Sequence, residues 1–432
     1  MHLGASKGLM RRDFGLAGRK AVFIMDLTLK FIAGSSVFEL SKRIQNVKSS
    51  PTVALNAKAK ALAKAGVNVL SFAVGEPDFP TPKAVVDVAI KALQAGKTKY
   101  GPAGGSQEFR EAICAKLKRE NDLIYTPEQV VVGMGAKEIL FHLFMALCND
   151  GDDVIVPSPY WVSYPDQILA QGARPICLPL SPDMSKNPLR VDDIKKAGTN
   201  KTVGIVLNSP NNPAGFMYSK EMLLELGEFL KTNDWWIISD EIYEYMAFDK
   251  THYSLLALFP ELKDRYFYVN GMSKGFAMTG WRVGYVAGTG PAIKMVRDLQ
   301  SHTSTCLPPF IEEAATYAIN QGKNLLANEI EILNGRRRLA MGILDGIKNV
   351  SYVEPHGAFY LFIDVRKALA ASNRFKDQNT MRFSEELLSE HHIAVVPGDA
   401  FGAPGFLRFS YATDDKSITE GLARFNKALQ QI

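Results

Sequence analysis

The sequence predicts an α/β fold: a large domain with a mostly parallel sheet sandwiched by helices, plus a smaller α+β domain. Two observations predict it. Short apolar, β-branched runs alternate with helical stretches from Val69 onward, and after Gly290 the texture turns to long charged helices and a few strands. Apolar strands separated by helices indicate a sheet covered on both faces.

In chain order, 82–93, 107–121 and 137–148 carry apolar stripes at helical spacing, while 129–133 and 154–157 read as buried strands. Residues 202–208 form a β-branched strand ending at Ser209-Pro210, followed by a helix over 219–232. Strands are expected over 235–239, 265–270 and 283–288. The span 312–347 reads as one long charged helix, with Arg336, Arg337 and Arg338 on its solvated side. Residues 353–364 and 393–410 are expected strands of the smaller domain, and 371–380 a polar surface loop. The division predicted is 38–75 with 325–432 as the small domain and 76–324 as the large one. Residues 1–37 form an extension expected to be disordered.

At 432 residues, with 47% hydrophobic and 22% charged residues, the composition suits a soluble globular enzyme. The net charge of +5 is spread along the chain, and no Lys/Arg tract would follow a nucleic-acid backbone. No run reaches the roughly 18 apolar residues of a membrane span. The four cysteines form no CxxC pair and read as buried free thiols in a reducing compartment. The seven histidines lack metal-ligand spacing, so no metal site is expected. The expected location is cytoplasmic, although the basic bias of the extension also suits an organelle leader.

Lys274 sits in Ser273-Lys-Gly-Phe-Ala-Met-Thr-Gly-Trp-Arg282, a run of small and apolar residues. Desolvation and a nearby cation both depress a lysine pKa, and an uncharged amine attacks an aldehyde. Arg282 supplies the cation and can grip a phosphate. Aldehyde plus phosphate describes pyridoxal 5'-phosphate, which needs an imine lysine, an anion at its pyridinium nitrogen, a donor to its ring oxygen, a stacking ring and a phosphate cup.

In α/β sheets ligands bind beyond the carboxyl ends of strands, and the candidates lie there. Asp240 suits the pyridinium nitrogen, or alternatively caps a helix. Tyr243 and Asn212 can donate to the ring oxygen; a core tyrosine and a rigid Asn-Pro turn are the plainer readings. Gly135, Ala136 and Lys137 open a helix, where backbone N–H groups bind anions. Trp161 is the candidate stacker. Arg408 lies inside an apolar strand and needs a carboxylate, either a substrate's or an internal one. Gly75 allows backbone to approach that carboxylate.

Together Asn211-Asn-Pro-Ala-Gly215, Ser239-Asp-Glu-Ile-Tyr243, Ser273 to Arg282, Lys99-Tyr-Gly-Pro-Ala-Gly104 and Leu407-Arg-Phe-Ser-Tyr-Ala412 resemble the class I/II aminotransferases, of the pyridoxal-phosphate fold type I, nearest the bacterial-type aspartate/prephenate enzymes. The resemblance covers 38 to the C-terminus. It implies that Lys274 is the Schiff-base lysine and proton shuttle, and that Asp240, Asn212, Tyr243, Arg282 and the Gly135 to Lys137 turn hold the cofactor. It further implies that Arg408 holds the substrate α-carboxylate, and that Lys137 and Thr52 face an acidic side chain. Tyr100 matches a phosphate-contacting tyrosine that crosses a subunit boundary, which implies a homodimer with shared sites. Expected partners are small amino acids and 2-oxo acids, with no nucleic acid and no membrane. The implied activity is ping-pong transamination between L-aspartate, with prephenate as a further partner, and 2-oxoglutarate. An aromatic or broad-specificity transaminase is the alternative, and a non-catalytic regulatory relative is the reading from another class. One departure is Gly275, where relatives often carry Thr or Ala.

Overall fold

The computed structural model describes residues 40–49, 51–181 and 183–432. The extension expected over 1–37 lies outside them. A short exposed helix, Lys42–Gln45, belongs to a separate N-terminal unit that ends at Asn46.

Thirteen strands occur among the described residues: β1 Leu70–Ser71, β2 Val130–Gly133, β3 Asp153–Val156, β4 Arg174–Cys177, β5 Thr202–Asn208, β6 Trp236–Asp240, β7 Tyr266–Gly271, β8 Gly284–Ala287, β9 Ser351–Val353, β10 Tyr360–Asp364, β11 Ile393–Ala394, β12 Val396–Pro397 and β13 Phe406–Ser410. The central sheet has the order β2-β8-β7-β6-β5-β3-β4. From β4 to β7 the pairing is parallel, and β8 runs antiparallel to both β7 and β2.

Side-chain alternation explains why these strands read as continuous apolar runs. Val131, Val154, Val206, Ile238, Val269 and Val286 face one side, against Ile139, Leu140, Leu143 and Phe144 of helix Ala136–Leu147. Val132, Ile155, Ile205, Leu207, Ile237 and Tyr268 face the other and join a separate core.

A second sheet, β12-β13-β10-β9, is antiparallel throughout. Its Leu361, Ile363, Leu407 and Phe409 pack with Leu333 and Leu344 of helix Ala327–Asp345 and with Leu422 and Phe425 of helix Asp415–Gln431. Phe72 stacks on Phe409 at 3.9 Å between ring centroids. Register pairs Arg408 with Phe362, so Arg408 points away from Leu407 and Phe409.

Several expectations need correction. The span 312–347 is not one helix: Pro309–Gln321 and Ala327–Asp345 are separated by the 3-10 turn Gly322–Leu326. Gly322 has φ +64°, a left-handed conformation that only glycine adopts cheaply. The three arginines do not share a solvated face, because consecutive helical residues point in different directions. Arg337 is 5% exposed and donates to Asp249 Oδ2 at 3.0 Å and to Pro355 O at 2.6 Å. Of the cysteines, Cys306 is buried, Cys114 and Cys148 are half-buried, and Cys177 on edge strand β4 is exposed. The expected strands 353–364 and 393–410 are interrupted, the second by the 3-10 turn Gly398–Phe401. Helices Ser163–Leu169 and Val191–Ala197 were too short to leave a periodic signal.

Candidate active site

Strands β5, β6 and β7 end side by side, with Asn208 opposite Asp240 and Asp240 opposite Val269. Beyond these ends lies a cavity of about 260 Å³. Of the residues singled out from sequence, Thr52, Gly75, Ala136, Lys137, Trp161, Asn212, Asp240, Tyr243, Lys274, Arg282 and Arg408 line it. Gly135 stands just behind Arg282. Tyr100 does not line the cavity of its own chain and is 88% exposed.

Lys274 follows β7 and sends its amine to the carbonyl of Gly75, Nζ to O 2.5 Å. Burial draws the amine's pKa from its ordinary 10.5 down to about 8; the Glu76 charge opposes this, while the Arg408 and Arg282 cations assist it. Between about 8 and 10.5 the unfolded chain binds a proton that the folded chain has shed, so the ligand-free protein gains stability as pH rises through that window. Ligand-free Lys274→Met should therefore melt above the parent at neutral pH. The gap should narrow as pH approaches 10.5. Thermal denaturation across pH measures it, and a constant gap would contradict the depressed pKa.

Asp240 ends β6. It accepts from the Tyr164 hydroxyl at 2.7 Å and from the Ile242 backbone N–H at 3.2 Å. Burial raises its carboxyl to about 6, partly offset by those two hydrogen bonds. Asp240 caps no helix; the bond to Ile242 closes a local turn.

Arg282 has φ 59° and donates to the carbonyls of Thr279 (2.9 Å) and Met134 (3.3 Å). Its guanidinium lies so close to Gly135 that a Cβ there would fall 2.5 Å from Nη2. Gly135 itself has φ 84°, so glycine is required twice over. Helix Ala136–Leu147 starts beside that guanidinium, and its first N–H groups precede the helix's own hydrogen-bond ladder.

Arg408 is buried, and its guanidinium has no carboxylate partner among the described residues. Nη1 donates to Asn212 Oδ1 at 3.0 Å and Nη2 to Ala73 O at 2.8 Å, while Nε is buried without any acceptor. The rings of Tyr360 and Phe401 lie 4.6 and 5.0 Å from its carbon. Burial lowers its pKa from the usual range. Among the described residues the internal-carboxylate reading of Arg408 thus finds no partner, and the buried cation is offset only by neutral groups.

Asn212 Nδ2 donates to the Tyr243 hydroxyl at 3.3 Å, and that hydroxyl lies 2.9 Å from the Tyr360 hydroxyl. Lys137 Nζ sits 5.0 Å from the Trp161 ring centroid, and burial followed by the Arg282 charge lowers its pKa. The Thr52 hydroxyl is buried without a partner.

Sequence reasoning missed Tyr164 and Tyr360. Tyr164 lies in the short helix Ser163–Leu169, which leaves no periodic signal, and Tyr360 lies within an expected strand with nothing in the sequence to set it apart. A Cβ at Gly75 would come 2.8 Å from the Tyr360 hydroxyl, so that glycine accommodates the ring.

The family model described as "Aminotransferase class I and II" matches residues 67–425. The chain belongs to the class I and II aminotransferases. This aminotransferase is 42% identical over 396 residues to the "Probable aspartate/prephenate aminotransferase" of Aquifex aeolicus, covering 91% of this chain and 99% of that protein. It is 39% identical to the "Aspartate aminotransferase" of Bacillus subtilis, with the same two coverages, 91% and 99%. Among solved structures, it matches the aspartate aminotransferase from Thermus thermophilus with maleate at 38% identity and a TM-score of 0.85, over 91% of this chain and 100% of that one. The aspartate aminotransferase from Rhizobium meliloti matches at 36% identity and a TM-score of 0.86, over 91% and 99%.

Proposed function

We propose that this aminotransferase moves the amino group between L-aspartate and 2-oxoglutarate, with prephenate as a further oxo-acid partner, using pyridoxal 5'-phosphate held at Lys274. The observation that carries the reading is the pairing in one cavity of a buried, carboxylate-free guanidinium, Arg408, with an amine depressed to about 8, Lys274. The names of the relatives support aspartate and prephenate among these substrates.

The residues fit the cofactor. The buried Asp240 carboxylate suits a pyridinium nitrogen, and Arg282 with the helix start at Gly135, Ala136 and Lys137 suits a phosphate. Asn212 and Tyr243 offer donors to a ring oxygen, and Trp161 offers a stacking face. When bound, the pyridoxal group supplies the electron sink that makes the substrate Cα–H acidic. Lys274 takes the proton from that carbon and returns it, which its neutral form permits. Arg408 holds the α-carboxylate and so aims the Cα–H at Lys274 Nζ. Lys137 Nζ pairs the distal carboxylate of aspartate, with Thr52 Oγ as a second contact. The first oxo acid leaves before the second enters, so one set of groups serves both halves.

The small domain is proposed to comprise 38–75 and 325–432, and the large domain 76–324. Two subunits are proposed to share sites, Tyr100 of each reaching the other's phosphate. Sedimentation should then give a dimer, and Tyr100→Ala should weaken cofactor retention; a fully active monomer would refute this.

A second reading, an aromatic or broad-specificity transaminase, draws on the apolar wall of Val53, Leu140 and Val162. Single amino donors mixed with loaded enzyme separate the two, with loss of the visible absorbance band as readout. Rapid loss with aspartate and slow loss with phenylalanine is expected. Lys137→Ala should slow aspartate by about 10- to 100-fold and leave phenylalanine nearly unchanged. Faster loss with phenylalanine in the parent enzyme would move the assignment to the aromatic class.

A further inference from the structure

The glycine after Lys274 is explained by a neighbour outside the cavity. Gly275 is buried, and an added Cβ would fall 2.8 Å from Tyr245 Cδ2 and 3.3 Å from Tyr245 Cγ. No left-handed φ is involved at Gly275, so close approach alone demands glycine.

The Tyr245 ring cannot easily yield. Its hydroxyl donates to Glu120 Oε2 at 2.6 Å. Its face lies 5.5 Å from Lys116 Nζ, and Phe276 packs against it edge-on at 5.3 Å. Lys116 is fixed in turn by a buried ion pair with Glu244. Glu244 also accepts from Asn121 Nδ2 (2.7 Å), Asn270 Nδ2 (2.7 Å) and the Tyr268 hydroxyl (3.0 Å). This brace joins helix Gln107–Asn121, the turn after Asp240 and the end of β7. None of its side chains lines the cavity that holds Lys274.

We propose that Tyr245 is a positioning residue for Lys274, acting through the contact of its ring with the Gly275 backbone. The proposal rests on the assignment of Lys274 as the reacting amine. The ring sets how far the 271–275 turn can settle toward the helix. It thereby sets where Lys274 Nζ lies against Gly75 O. Tyr245 and Gly275 form a matched pair: the large ring requires the missing side chain.

The test is a double-mutant cycle of Gly275→Ala and Tyr245→Ala. One readout is kcat in the loaded enzyme. The other is the pH dependence of acetic anhydride labelling of Lys274 in the cofactor-free protein, followed by peptide mass spectrometry. Gly275→Ala is expected to lower kcat by about 10- to 100-fold, since displacement near 1 Å costs that much. KM for aspartate should change little, and the labelling midpoint should rise above that of the parent. Tyr245→Ala should shift both readouts, though less. The double variant should recover most of both, because the alanine methyl fills space the ring has left.

Unchanged labelling and kcat in Gly275→Ala would overturn the proposal, and so would a double variant no better than the worse single. If Gly275→Ala does not fold, Tyr245→Ala decides alone: parent-like kcat and parent-like labelling refute the role. Failure of the functional reading is distinguishable. The parent itself would then show no borohydride-trapped pyridoxal phosphate on Lys274, whatever residue 275 is.

Discussion

Lys274→Ala should eliminate transamination, with a loss of at least about 10⁴-fold in kcat. Moving the Cα proton accounts for roughly 10²–10⁴ of this on general acid–base grounds, and losing the covalent anchor adds more. No other amine in the cavity can substitute. Lys137 is engaged over the Trp161 ring, and Arg282 and Arg408 carry guanidinium groups rather than amines. The variant should still bind pyridoxal phosphate weakly, because Asp240, Arg282 and the helix start are untouched. It should not retain it after borohydride treatment. Full turnover by Lys274→Ala, measured with aspartate and 2-oxoglutarate, would sink the assignment. An added small primary amine should restore a fraction of the rate, since it can enter the space the side chain leaves.

Replacing Arg408 gives the second large effect, and here activity and stability part company. Arg408→Leu should lower kcat/KM for aspartate by about 10²–10³-fold, the usual consequence of deleting one partner of a buried charged hydrogen-bonded pair. Arg408→Lys should recover little, because an ammonium cannot reproduce the two-pronged geometry. Yet in the ligand-free protein this guanidinium is an uncompensated buried cation, held by two oxygens and two aromatic rings, with Nε orphaned. Removing it relieves that desolvation and offsets the lost hydrogen bonds. The ligand-free Leu variant should therefore melt within about 4 °C of the parent. A dicarboxylate such as maleate should raise the melting point of the parent but not of the variant. A variant that melts far lower while keeping its kcat/KM would mean that Arg408 serves the core.

How much of this was legible beforehand follows from where each signal lives. Lys274, Asp240 and Asn212 follow apolar strands, so position along the chain already placed them at one edge of the sheet. Arg408 was legible as a local contradiction, a charge within an alternating apolar strand. Whether a carboxylate of the same chain pairs with it depends on tertiary packing, which a strand pattern does not carry. Tyr164 and Tyr360 were illegible because their importance is relational. One reaches Asp240 across 76 positions and the other reaches Tyr243 across 117. Tyr245 was hidden for the same reason: Gly275 stood out in the sequence only as a departure from its relatives, without a cause. The broken helix at Gly322 was missed because charged helical texture continues on both sides of one glycine, and periodicity cannot register a single left-handed residue.

The way the cavity draws on the chain also bears on how the protein is made. The groups proposed for the cofactor, from Gly135 to Arg282, emerge from the ribosome long before β13 does. Arg408 is synthesised after all of them, and Phe72, made early, must wait for Phe409 to stack on. A nascent chain can thus present its amine, its carboxylate and its anion cup before it has the guanidinium proposed to hold an α-carboxylate. Among the groups proposed for the site, the one for the substrate α-carboxylate is thus the last to be made.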